Sequence, residues 1–318
     1  MKTKIWIALL ALYIVWGSTY LAIRFSVETI PPFLHASLRF LISGAILFIW
    51  RRSAGDPAPT LNNWKSTAIV GTALLLGGNG LVAWAEQSVP SGIAALMIST
   101  SPFWLVLFES LRTGGAKPTW QSIAGLIVGF AGVFILIGPA EITGGEGSFD
   151  TFGIALLLFA PLFWSLGSIY ARGADMPKST LLGTGMEMLT GAVALFIVSL
   201  AKGELNGFNL GLVSMRSWLG LTYLITFGSL VGFVSYGYLL HNAPVSLTST
   251  YAYVNPVVAV FLGNLLADEP LNARILIASA IIIGSVVFIN SARQAKVRVE
   301  SVQTISEIRT EPRRSNGD

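Results

Sequence analysis

The chain has 318 residues, of which 53% are hydrophobic and 11% are charged, and its net charge is +4. Soluble domains carry about 25% charged residues, so this composition, with a mean hydropathy of +0.69, predicts a membrane protein. Because the sequence contains no cysteine, disulfides and thiolate chemistry are excluded, and the two histidines, His35 and His241, lie far apart in sequence. The modest positive charge requires no nucleic-acid partner.

Ten apolar segments are long enough to cross a bilayer, which takes roughly 20 residues in a helix. The first begins like a signal peptide, but its apolar run continues to Ile23 without a small-residue cleavage site, so it is predicted to remain as the first helix. The connecting loops are short, and none can hold a soluble domain. The predicted spans are 5–24, 33–50, 66–85, 91–111, 120–138, 151–171, 180–201, 218–240, 246–267 and 273–291.

Basic residues are distributed unevenly over the loops. With a cytoplasmic N terminus, fifteen basic residues fall in the cytoplasm and four fall outside, namely Arg24, Lys202, Arg216 and Arg274. Cytoplasmic loops carry the excess of Lys and Arg in membrane proteins. We therefore expect both termini in the cytoplasm, with residues 292–318 forming a solvated cytoplasmic tail or, alternatively, an amphipathic regulatory helix.

A proline-bracketed segment of thirteen residues occurs twice, as PSGIAALMISTSP from Pro90 and as PVSLTSTYAYVNP from Pro244. Trp16 and Trp164 likewise match at an offset of 148 residues. Each repeat holds five spans, and an odd number makes the second repeat enter the membrane from the opposite side. The sequence thus predicts an all-α integral membrane fold of ten transmembrane helices in two inverted five-helix repeats, residues 1–138 and 151–291, joined by a periplasmic linker at 139–150.

Several motifs in this order resemble the ten-helix EamA-type members of the drug/metabolite transporter superfamily, over roughly residues 5–291. They are WGSTY at 16–20, PPFLHASLRF at 31–40, and the proline-centred fourth and ninth helices, each followed by a glycine-bearing helix. One departure from the family pattern is that the second half has Glu269 in DEPL, whereas the corresponding stretch of the first half reads GGAKP and has no glutamate. The resemblance implies a bacterial inner-membrane exporter of small metabolites, amino acids or drugs, with a cavity lined by helices one, three and four of each repeat.

Two other classes of function are weighed against an exporter. An intramembrane enzyme would need clustered acids or histidines, which this sequence lacks, and no Walker motif indicates ATP-driven transport. A lipid or polyprenyl-carrier translocase would differ by a cavity open sideways to lipid. We expect no enzyme activity, cofactor or metal, and as partners a small-molecule substrate and the bilayer, with a homodimer left open.

Helical spacing divides the two proline-bracketed segments into two stripes. One stripe of small residues, with Gly92, Ala95, Ser99, Ser246 and Ser249, is predicted to pack between helices. The other stripe has different residues in the two repeats. Because an asymmetric substrate needs asymmetric contacts, this stripe is predicted to line the cavity. The predicted cavity residues are Trp16, Asn79, Met97, Ser101, Trp164, Thr248, Tyr251 and Asn255, and Pro102 and Pro256 are predicted hinges. Structural roles stay open for the prolines as kinks, for Asn79 as an interhelical hydrogen bond, and for the tryptophans as gap filling.

Two charges lie well inside predicted spans and away from the span ends, Arg39 in the second and Glu187 in the seventh. Intramembrane charges are functional suspects because a lone charge in hydrocarbon is costly. Their depths differ by about 10 Å, which argues against a direct ion pair. The roles of both residues stay open at this stage, with Glu187 as a proton-coupling site or as a structural group.

Overall fold

The computed structural model describes residues 2–111, 118–137, 150–243, 245–248, 250–289 and 291. Within these ranges the regular structure is helical and contains no β-strand. Residues 139–149 of the predicted linker at 139–150 and the predicted tail from 292 lie outside the described residues. Ten apolar helices account for most of the chain, eight of them at least 18 residues long and two shorter. They are α1 Thr3–Ser26, α2 Pro32–Ser53, α3 Leu61–Ala85, α4 Ser91–Leu111, α5 Trp120–Ile137, α6 Thr151–Ala171, α7 Thr180–Ala201, α8 Met215–Leu239, α9 Tyr251–Ala267 and α10 Ala273–Ile289.

Local sequence sets where several of these helices begin. Thr60 caps α3 in a reciprocal capping box with Asn63, Asp150 caps α6 through the backbone N–H groups of Phe152 and Gly153, and Ser179 caps α7. These side chains satisfy backbone donors that have no partner inside the helix. The helix starts are therefore fixed by polar residues at the bundle ends, and apolar sequence fills the spans.

Large apolar side chains remain exposed along the outside of the bundle. Ile127 is 67% exposed, Phe134 61%, Ile14 58% and Ile197 59%. Soluble monomers rarely expose so many large apolar side chains together. Together with the length of the helices, these exposed side chains identify a multi-pass membrane protein whose outer surface faces lipid.

Glycine allows the closest helix contacts. The helices α2 and α7 pack along each other, and a Cβ added to Gly44 would lie 2.8 Å from the Met188 Cβ and 2.9 Å from the Gly185 carbonyl oxygen. A Cβ on Gly191 would lie 2.8 Å from the Gly71 carbonyl oxygen, where α7 meets α3. Small residues at such positions let transmembrane backbones approach, since helices in lipid associate through packing.

Contacts between the two halves come in reciprocal pairs. The helix α1 contacts α8 and α9, and its counterpart α6 contacts α3 and α4. The pairs α2 with α7 and α4 with α9 each join a helix to its own counterpart. This is the pattern expected of two repeats related by a twofold axis, and the opposite membrane orientation of the halves remains a prediction.

The sequence predicts the fourth span as one continuous helix with a hinge at Pro102, and the structure differs from this prediction. The span consists of two helices, Ser91–Ile98 and Ser101–Leu111, separated by a turn at 99–100. Pro102 thus lies in the first turn of the second helix, where its missing N–H is not needed. The ninth span is also divided, with a short helix Val245–Thr248 before α9, and in α9 Pro256 is inside the helix as predicted.

Candidate substrate cavity

A cavity of about 210 Å³ lies where the two halves meet. Seven helices contribute to its wall, with α1, α2, α3 and α4 from the first half and α6, α8 and α9 from the second. Its lining is mostly apolar and aromatic, with a few polar groups. A volume below the about 300 to 1,000 Å³ of drug-sized sites favours a small ligand.

Trp16 and Trp164 line this cavity from α1 and α6. The Trp16 Nε1 donates a hydrogen bond to the Gly228 carbonyl oxygen at 3.1 Å, and its ring packs against Phe233 and Tyr251 with centroids 5.3 and 5.2 Å away. Trp164 packs against α3, where a Cβ on Gly78 would lie 3.0 Å from its Cε3 atom. Each ring therefore crosses from one half to the other and fills a place that glycine leaves open.

Both tryptophans pack against helix segments that are π-helical. These segments are Thr72–Gly80 in α3 and Leu224–Val231 in α8, and their first residues are 152 positions apart. Asn79 belongs to the first segment and lines the cavity, with Nδ2 donating to the Leu74 carbonyl oxygen at 3.4 Å. Wider turns of this kind occur frequently at functional sites.

The break in α4 places hydroxyl groups beside the cavity. Ser99, Thr100 and Ser101 each donate to the carbonyl oxygen three residues earlier, at 2.6 Å in each case. These carbonyls lie at the end of a helix inside the bundle. Although the Met97 carbonyl also accepts the Thr100 backbone N–H at 3.1 Å, the hydroxyl groups supply donors that a continuing helix would have provided. Ser99, Ser101 and Pro102 all line the cavity, which makes the broken segment part of its wall.

On the other side of the cavity, α9 contributes Tyr251, Ala252, Asn255 and Pro256. Pro256 has no N–H to donate to the carbonyl of Ala252 one turn earlier. Asn255 is 8% exposed, and its Oδ1 has no hydrogen-bond donor among the described residues. The first turns of α9 therefore present acceptor oxygens at a wall that is otherwise apolar.

The positions predicted from the stripes are divided between cavity and core. Trp16, Asn79, Ser101, Trp164, Tyr251, Asn255, Pro102 and Pro256 lie at the cavity. Met97 does not, since it is 1% exposed in the apolar core around Ala94 and Leu96, and Thr248 is 2% exposed and also outside the lining.

The two corrections have different causes. Ala95 and Ser99, predicted to pack away from the cavity, line it together with Pro102, so the small-residue face of α4 meets the cavity and Met97 packs into the core. Thr248 belongs to the short helix Val245–Thr248, which is separate from α9, so helical spacing does not relate it to Tyr251. Ser249 and the side chain of Ser246 lie outside what the structure describes.

Sequence reasoning assigned no role to Arg39, which lies in the cavity wall. It is 4% exposed, its Nε donates to the Ser229 hydroxyl at 3.0 Å, and its guanidinium carbon is 4.7 Å from the centre of the Phe40 ring. Its charge inside a span was the signal that could have placed it here. Thr19 and Tyr20, from the WGSTY motif, are further lining residues that the stripes did not predict.

The polar groups of this cavity are suited to holding a ligand by hydrogen bonds. Guanidinium, amide, hydroxyl and indole groups are present, and the described lining includes no carboxylate or imidazole. Within the described ranges, no cluster of three or more His, Asp or Glu could bind a metal ion. The cavity has the character of a binding site between two bundle halves.

A lipid-facing bundle of ten helices, with a partly polar cavity between two related halves, defines a protein of the transporter class. The pattern of the EamA-like transporter family matches residues 3–138 and 151–291, and the chain belongs to that family. The family and the names of its relatives point to a transporter and away from an enzyme.

Relatives are found in bacteria and archaea. The chain is 38% identical over 283 residues to the uncharacterized inner membrane transporter YedA of Escherichia coli K12, covering 89% of each. It is 23% identical over 284 residues to an uncharacterized transporter of Archaeoglobus fulgidus, covering 88% of this chain and 96% of the relative. A crystal structure 22% identical in sequence has a TM-score of 0.61 over 94% of this chain and 99% of that one, so the two share a fold.

Proposed function

We propose that this protein is a secondary transporter that exports a small metabolite, an amino acid or a drug across the bacterial inner membrane by alternating access. The observation that carries this proposal is the cavity between the halves, because substrate sites of repeat-built transporters lie between the repeats. The sequence has no Walker motif, so a gradient would drive transport.

Reciprocal contacts support a rocking mechanism. Because α1 and α6 make equivalent contacts with opposite halves, a shift of one half against the other would exchange one set of contacts for an equivalent set. The modest cavity volume favours a compact solute over a polyprenyl-linked lipid. In this proposal both termini are cytoplasmic, from the charge asymmetry of the loops.

The test is a comparison of metabolites in the growth medium. Cells that overproduce the protein should accumulate one compound or a small chemical group of compounds outside, relative to cells with the empty vector. The variant Asn255→Leu should lower this accumulation severalfold at equal protein level, because it removes from the cavity an amide whose Oδ1 has no donor among the described residues.

A matched control is Asn242→Leu, since Asn242 is exposed at the end of the helix Gly232–Asn242 and its Nδ2 donates a hydrogen bond within its own helix to the Tyr238 carbonyl oxygen. This variant should export normally. Equal accumulation with the vector and with the wild-type protein, or equal loss in both variants, would count against export through this cavity.

A further inference from the structure

Arg39 is the one charged side chain among the described residues that line the cavity. Its Nε–H is bonded to Ser229, and its two terminal amino groups have no hydrogen-bond acceptor among the described residues. Among the described residues, no carboxylate forms an ion pair with Arg39. The ion pairs found there involve Arg51, Arg172 and Arg216. A cation this deeply buried normally has a partner, and within the described residues no ion pair supplies one.

Space beside the guanidinium is preserved by glycine. A Cβ on Gly228 would lie 3.3 Å from the Arg39 Nη2 atom, so a larger residue there would crowd the guanidinium. The guanidinium is planar and offers parallel N–H groups that match the two oxygens of a carboxylate. The geometry therefore leaves one edge of the guanidinium available to an anion within the cavity.

The remainder of the wall indicates what else the ligand carries. Trp16, Trp164, Tyr251 and Phe233 present aromatic surface, which suits a compact apolar or aromatic body. The unpartnered Oδ1 of Asn255 requires a donor, and a ligand N–H or O–H group would provide it. Together these groups describe a molecule with an anionic end, an apolar body and a hydrogen-bond donor.

We propose that the substrate is a small organic carboxylate and that Arg39 binds its carboxylate group. This inference rests on the proposed function, since it names the chemical class that the exporter carries. Aromatic side chains position the apolar body, and Asn255 accepts a hydrogen bond from a donor on the substrate.

The competing explanation is an internal counterion. Glu86 is fully buried, both of its carboxylate oxygens lack hydrogen-bond partners, and its backbone N–H bonds the carbonyl oxygen of the cavity residue Val82 one turn earlier. If Arg39 served only to neutralise Glu86, the cavity would show no preference for anions. The experiment below separates these two roles.

The test measures protection of a single introduced thiol. Purified Ser101→Cys protein, which has no other cysteine, is reacted with a maleimide at about pH 7, where carboxylates are ionised. Three matched pairs serve as probes: benzoate and benzamide, phenylacetate and phenylacetamide, hexanoate and hexanamide. At least one carboxylate should protect the thiol at a concentration about tenfold or more below that of its amide, as expected for a charge-assisted hydrogen bond.

Variants then locate the preference. Arg39→Gln in the Ser101→Cys background should reduce the preference to about twofold or less, Arg39→Lys should retain part of it, and Glu86→Gln should leave it in place. The control variant is Arg216→Gln, at an arginine that pairs with Glu28 outside the cavity. It should keep the full preference for carboxylates over amides that the Ser101→Cys protein shows.

Equal protection by acids and amides, no protection by any probe, or a preference that survives Arg39→Gln would overturn the proposal. If Arg39→Gln does not fold, the comparison of acids with amides in the parent protein still decides. This measurement needs no transport, so it can fail while the overproducing cells still export a metabolite. In that case the exporter stands and only its substrate class is wrong.

Discussion

Trp16 and Trp164 lie 148 positions apart and line one cavity, each packed against the π-helical segment of the other half. The first bonds the carbonyl of Gly228 in α8, and the second fills the space left by Gly78 in α3. Two equivalent contacts that cross between the halves in opposite directions are expected of two repeats related by a twofold axis. They connect the repetition in the sequence to the position of the proposed substrate site.

The membrane orientation predicts a simple fusion result. A reporter active only in the cytoplasm should be active after Asp175, in the loop between α6 and α7, and silent after Asn206, in the loop between α7 and α8. The reason is the excess of basic residues on the predicted cytoplasmic side. The reverse result would place the N terminus outside, and equal activity at both sites would remove α7 as a membrane span.

Two repeat-related glycines should respond differently to alanine. A Cβ on Gly132 in α5 would lie 2.8 Å from the Ile281 Cγ2 atom and 3.2 Å from the Ile282 backbone nitrogen of α10, whereas a Cβ on Gly284 meets nothing within 4 Å. Gly132→Ala should lower stability by about 1 to 3 kcal/mol through overpacking, and Gly284→Ala should be neutral or slightly stabilising. Thermal denaturation of the detergent-purified variants measures both. Equal melting temperatures would mean that α5 and α10 do not make this close contact.

A carboxylate joins α9 to the start of α4. Glu269 accepts hydrogen bonds from the backbone N–H groups of Ser91 at 2.7 Å and Gly92 at 2.9 Å. Glu269→Gln should cost about 1 to 2 kcal/mol, since it removes a charged acceptor from a helix N terminus. The neighbouring Asp268 has a left-handed backbone that asparagine tolerates, so Asp268→Asn is the control. A melting temperature that falls equally in both variants would contradict the cap.

Much of the fold could be predicted from sequence because composition and repetition act over long segments. The ends of ten helices lie close to the predicted spans, and Trp16 and Trp164 were placed at the cavity by their repeat-related positions. Met97 was misplaced because helical spacing shows which residues share a face of α4 and does not show which face meets the cavity, where Ala95 and Ser99 lie instead. The position of Arg39 depends on how α2 packs against α8, which no local pattern encodes.

Glu187 is predicted to be structural and not a proton carrier. It is half-buried in α7 and lies outside the cavity lining. Glu187→Gln should therefore export the accumulated metabolite at the wild-type rate with an unchanged dependence on pH. Glu109→Gln, which removes one partner of an ion pair with Arg172, is the matched control. A variant that keeps exchange and loses its pH dependence would show that Glu187 couples transport to protons.

Labelling of one cavity thiol from the two sides of the membrane tests the central claim, alternating access, most directly. Ser101→Cys should react with a membrane-impermeant maleimide in both right-side-out and inside-out vesicles, while Met97→Cys, in the core, should resist from both sides. The exported metabolite added on one side should slow labelling from the other, because it shifts the population of access states. Reaction of Ser101→Cys from one side only, whichever side holds the metabolite, would contradict the account.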